Sequence, residues 1–76
     1  MRTQIKTVIA EVLGISPDAI ADDASTETVA EWDSLKHLEL MMAIEAAFNT
    51  RINTAAMLEL HSIDAIESYI SAQHNR

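Results

Sequence analysis

Apolar residues recur three and four positions apart through most of this chain, and that period leaves little but helices to build from. Ile5, Val8, Ile9, Val12 and Leu13 fall at i, i+3, i+4, i+7 and i+8, the stripe of a first helix. Gly14 follows, a residue able to close that helix in a left-handed cap. Ser16-Pro17-Asp18 supplies an N-cap, a proline at the first helical position and an early acid, which predicts a single turn through Ile20. From Ser34 to about Phe48, Leu, Met, Ala, Glu and Lys predominate, all good helix formers, and Asn49-Thr50 ends this second helix. Asn53-Thr54 is a capping pair for a short helix from Ala55 to Leu60. Ser62 caps a last helix, with Ile63, Ile66, Tyr69 and Ile70 on one stripe. One glycine, one proline and three aromatics are too few turn and strand formers for a β fold of this length.

The expected fold class is all-α, a small bundle of three longer helices plus one short helix, with residues 1–76 as a single domain. Ala21 to Thr28 has no sustained period and reads as loop, which Ile20 and Val29 pin to the core. The loop brings the chain back to the end where the second helix starts, so Ser34 is expected at an exposed tip. A domain this small buries roughly 60% of the surface its unfolded chain exposes, which leaves little room for a deep active-site cavity.

With no cysteine there is no disulfide and no thiolate nucleophile or metal ligand, so any thiol chemistry must arrive with a cofactor. Twelve acids against five bases give a net charge of −7, which argues against nucleic acid and suits basic protein partners, although acidity also serves solubility. There is no signal-peptide core and no stretch of membrane-spanning length, so no membrane insertion and a cytoplasmic location are expected. His37, His61 and His74 are too scattered for a metal site. Asp22-Asp23 and Glu27 lack the glycine and closing glutamate of a calcium loop. No Ser-His-Asp arrangement emerges. A non-enzymatic monomer is the expectation.

Trp32-Asp33-Ser34-Leu35 stands where the polar loop ends and the second helix begins. Unpaired N–H groups and the positive end of the helix dipole stabilise an anion there, so the serine hydroxyl is well placed to anchor a phosphodiester. Asp33 can accept a hydrogen bond from the opening N–H groups and can orient a divalent cation during phosphoryl transfer. The plainer alternative is that Asp33 or Ser34 only caps the helix. Trp32, one residue before the cap, is expected to pack against His37 as a hydrophobic staple; direct contact with a partner or with the group anchored at Ser34 is the other reading.

The second helix carries more apolar residues than one stripe requires. At roughly 100° per residue, Leu40, Met41, Ile44, Ala47 and Phe48 form the core face. Leu35, Leu38 and Met42 lie opposite, flanked by Glu39 and Glu45, as a docking strip for basic partners. Against this, the third helix can cover part of the strip, and the acids can be plain solvated surface.

Over nearly its full length the chain resembles the acyl carrier proteins. The resemblance rests on Val12-Leu13-Gly14-Ile15, Ser16-Pro17-Asp18, Trp32-Asp33-Ser34-Leu35 and Leu38 to Glu45 followed by Phe48, in the family's order and spacing. It implies that Ser34 receives 4′-phosphopantetheine from coenzyme A through a phosphopantetheinyl transferase, and that the arm's thiol carries an acyl group as a thioester. It also implies that the second helix is the recognition helix for acyl-loading and acyl-processing enzymes, with Asp33, Leu35, Glu39, Met42 and Glu45 at partner-contact positions. Glu31 replaces a glycine frequent in housekeeping fatty-acid carriers, Lys36 replaces an acid after Asp-Ser-Leu, and Ala46 and Ala47 thin out the acids near the helix end. These departures favour a specialised polyketide, nonribosomal peptide or modified-lipid pathway. An aminoacyl or peptidyl carrier is the nearest alternative, and an unmodified helical adaptor a more distant one.

Overall fold

Among the described residues four α-helices and one 3-10 turn follow one another in the predicted order: α1 (Arg2–Leu13), the turn Pro17–Ala19, α2 (Ser34–Phe48), α3 (Thr54–Glu59) and α4 (Ile63–His74). The structure is a computed structural model that describes residues 1–74. The side chain of His74, one of the three scattered histidines, lies outside what is described. The observed architecture is the all-α bundle of three longer helices and one short helix.

Local chemistry sets the helix ends. Gly14 closes α1 in the left-handed region at φ 72°, its N–H bonded to Ala10 O at 2.9 Å. Asn49 does the same for α2 at φ 49°. The Asn53 side chain accepts the Ala56 N–H at 2.7 Å, which makes Thr54 the first residue of α3. Leu60 leaves the helix to bury its side chain, so α3 lies one residue earlier than its predicted span. The Ser62 hydroxyl accepts the Ala65 N–H at 3.1 Å and caps α4.

Helix α1 packs on both α2 and α4. The core between them holds Ile5, Ile9 and Leu13 of α1, Leu40, Met41 and Ile44 of α2, and Ile63, Ile66 and Ile70 of α4. Val8, Val12, Phe48 and Tyr69 are half-buried at its edge. Ala47, expected in the core, is exposed. It lies at the margin of the arc set by Leu40, Met41 and Ile44, in the last turn of α2, while Phe48 is half-buried against the core.

The long loop is tied down more firmly than Ile20 and Val29 alone provide. Ala24 is buried, and Ser25 pairs antiparallel with Ser62. The Thr26 N–H bonds to His61 O at 3.0 Å and the Ile63 N–H to Ala24 O at 3.1 Å. Next to this pairing the Arg2 guanidinium donates to Asp64 and Glu67, each at 2.6 Å, and to the Asp22 carbonyl at 3.0 Å, while Lys6 pairs with the Asp22 carboxylate. The bond from Arg2 holds the Glu67 carboxyl below its ordinary range, and the bond from Lys6 does the same for Asp22. The loop is thus anchored at its start and its middle, and its last residues deliver Trp32 and Asp33 to α2.

Candidate functional site

Ser34 is the first residue of α2 and is exposed. Asp33 before it is the N-cap, its carboxylate accepting the Lys36 N–H at 2.9 Å. The hydroxyl therefore stands at the positive end of a fifteen-residue helix, where a phosphate is stabilised by the opening N–H groups and the dipole.

Beneath it lies a relay of three groups. Trp32, 2% exposed, donates its indole N–H to His37 Nδ1 at 3.0 Å, and the rings stack with centroids 6.1 Å apart. The other ring nitrogen, His37 Nε2, is 2.6 Å from the Met57 carbonyl on α3. An indole N–H only donates and a carbonyl only accepts, so the imidazole proton sits on Nε2. The expected packing of Trp32 on His37 is present, with the indole almost wholly buried. With both nitrogens engaged, His37 is no general base for the serine.

Two grooves flank Ser34. One, of about 270 Å³, lies between α2 and α3 and is lined mainly by apolar atoms of His37, Leu38, Met41, Met57 and Leu58, with Thr54 at its edge. The other, of about 320 Å³, faces the loop along Thr26, Trp32, Asp33 and His37. Helix α3 borders the first groove without covering α2: Leu35, Leu38 and Met42 remain 67%, 52% and 61% exposed, and Leu58 of α3 is 77% exposed. The outward apolar strip of α2 is therefore open to solvent, and Leu58 extends it onto the next helix. Leu58 escaped sequence reasoning because six residues are too few to define a helical period.

The acids expected to flank the strip part company. Glu39 is exposed and pairs with Lys36 at 3.4 Å. Glu45 is not a free flanking acid. Its half-buried carboxylate turns to the connection after α2 and accepts the N–H of buried Ile52 at 2.9 Å. The reason is an obligatory donor: a buried N–H outside a helix needs an acceptor, and Glu45 is the one in reach. Among the described residues no three or more potential ligands gather to hold a metal ion, and no helix is long and apolar enough to cross a membrane.

Comparison with known proteins puts this geometry in a family. The family described as phosphopantetheine attachment site matches residues 3–70. An acyl carrier protein of Guillardia theta is 34% identical over 68 residues, covering 90% of this chain and 84% of the relative. Acyl carrier proteins of Zymomonas mobilis and Bdellovibrio bacteriovorus are each 33% identical over 67 residues, covering 88% of this chain and 86% of the relative. An exposed serine at the head of a helix on a small bundle is consistent with a carrier. The chain belongs to the acyl carrier protein family, and the phosphopantetheine attachment domain occupies nearly all of it.

Proposed function

We propose that Ser34 is the attachment residue and that the chain presents acyl groups to the enzymes of a specialised biosynthetic pathway. The observation that carries this reading is the exposed Ser34 hydroxyl at the start of α2, with an N-cap already in place and open grooves on both sides. The residues fit the group: the phosphate would sit against the opening N–H groups of α2, and the arm has room to leave in either direction. When attached, 4′-phosphopantetheine supplies the thiol that this cysteine-free chain lacks, and holds the cargo as a thioester. The protein's own part is to hold the hydroxyl outward, stabilise the phosphate through the helix dipole and offer a face for enzymes to grip.

That face comprises Leu35, Leu38 and Met42 with Glu39 at its edge, and Asp33 beside the attachment point. Glu45 has no place in it. The net charge of −7 supports partners with basic surfaces, a phosphopantetheinyl transferase first among them, followed by acyl-loading and acyl-processing enzymes. Glu31 and Lys36 support a polyketide, modified-lipid or related pathway over housekeeping fatty-acid synthesis. In this reading residues 1–76 act as one monomeric carrier domain in the cytoplasm and catalyse nothing. The test is incubation with coenzyme A, magnesium and a broad-specificity transferase, followed by intact mass. Mild-base release of the thioester cargo from protein purified from its native host then separates an acyl from an aminoacyl carrier.

A further inference from the structure

Helix α3 is the least anchored wall of the groove beside Ser34. It has six residues and no fully buried side chain, and is held at its flanks by buried Ile52 and Leu60. Among the described residues, its one hydrogen bond to another helix is the bond between the Met57 carbonyl and His37. We propose that His37 is the positioning residue of this site: held in its neutral Nε2–H form between the Trp32 indole and the Met57 carbonyl, it fixes the distance of α3 from α2 and with it the groove beside Ser34.

The argument is one of donors and acceptors. Of the three protonation forms of an imidazole, only the Nε2–H tautomer presents an acceptor to the indole and a donor to the carbonyl. The Nδ1–H tautomer sets donor against donor at Trp32 and acceptor against acceptor at Met57. The imidazolium loses the Trp32 bond. Trp32 is itself buried in the core at the end of a loop stapled to α4. The relay therefore passes the position of a rigid element through α2 to a loosely held one. Leu38 and Leu58, which line the same groove from α2 and α3, are thereby kept at a set spacing for any enzyme that reads both. Without the bond, α3 samples more positions, and an enzyme needing one of them sees a smaller competent fraction, which raises KM and leaves kcat unchanged.

This inference rests on the Ser34 reading only for its kinetic arm. The first measurement is long-range ¹H–¹⁵N correlation on the histidine rings of the intact protein. A protonated Nε2 and an unprotonated Nδ1 at His37 are expected, and Trp32→Phe, which keeps a ring but removes the donor, should shift the Nδ1 resonance while the Nε2–H bonded to the Met57 carbonyl persists. A mixture of tautomers in the unaltered protein overturns the proposal. The second measurement is transferase labelling. His37→Leu, which fills space without hydrogen bonds, should raise KM roughly three- to tenfold at constant kcat, the loss expected of one hydrogen bond. His37→Gln can offer an acceptor to Trp32 and a donor to Met57, and should recover most of it. Unchanged KM in His37→Leu overturns the positioning role. Absence of any labelling in the unaltered protein overturns the Ser34 reading instead, and the ring spectra still decide the relay.

Discussion

Removing the Glu45 carboxylate separates an acid that holds the fold from one that lies exposed on the surface of α2. Glu45 Oε2 accepts the N–H of Ile52 at 2.9 Å, and Ile52 is buried, so Glu45→Ala removes the protein acceptor of that donor. An orphaned buried donor costs about 1–3 kcal/mol; since Glu45 is only half-buried and water can partly replace it, the lower part, about 1–2 kcal/mol, applies. In a domain of this size each kcal/mol lowers Tm by roughly 4–8 °C, so a fall of about 4–16 °C is expected. Glu45→Gln keeps an acceptor oxygen and loses only the charge assistance, so it should lose roughly half as much. Glu39→Ala is the control. Its carboxylate is exposed and paired with Lys36 at 3.4 Å. Such an i,i+3 pair is worth about 0.2–0.5 kcal/mol, which the helix propensity of alanine offsets. Thermal and urea unfolding followed by circular dichroism reads all three. A Glu45→Ala variant as stable as Glu39→Ala would refute the structural role.

The two faces of α2 should differ in the same assay: Leu40→Ala, at a fully buried site, should cost about 2–5 kcal/mol and Leu38→Ala about 1 kcal/mol or less. Equal losses would mean the faces are misassigned. Gly14→Ala should cost about 1–2 kcal/mol from backbone strain alone, because φ is 72° and an added Cβ would meet nothing within 4 Å. A neutral result there would contradict the left-handed cap. For pH, the folded protein holds Asp22 and Glu67 below the ordinary carboxylate range, through Lys6 and Arg2 respectively. Their contribution is therefore present above about pH 4 and is lost as pH falls through the lowered folded values. Arg2→Gln should flatten this acid limb of the stability curve, as should high salt; an unchanged limb in the variant would refute the linkage.

What could be read from the sequence was mostly local. The α1 stripe, the Gly14 cap, the span Ser34–Phe48 with its Asn49 stop and the Ser62 cap depend on residues within one or two turns, where period and capping chemistry decide the outcome. Tertiary contacts were not legible. Nothing near Ser25 announces a pairing with Ser62, and Arg2 gives no sign that its partners are Asp64 and Glu67. Glu45 shows the limit of the helical wheel, which places a side chain on an arc but cannot tell that a buried N–H in the next connection will claim it. At the site, the position of Ser34 followed from the cap signal, and the packing of Trp32 on His37 from staple spacing. The hydrogen bond to Met57 did not, because it depends on where a six-residue helix comes to rest.

The central claim is that Ser34 carries the arm. Its most direct test is intact-mass analysis with peptide mapping of the protein and of Ser34→Ala, each incubated with coenzyme A, magnesium and a phosphopantetheinyl transferase. The unaltered protein should gain one phosphopantetheine, mapped to the peptide containing Ser34, and Ser34→Ala should gain none while its helical circular dichroism stays intact. Labelling that persists in Ser34→Ala, or that maps to another serine, would contradict the account.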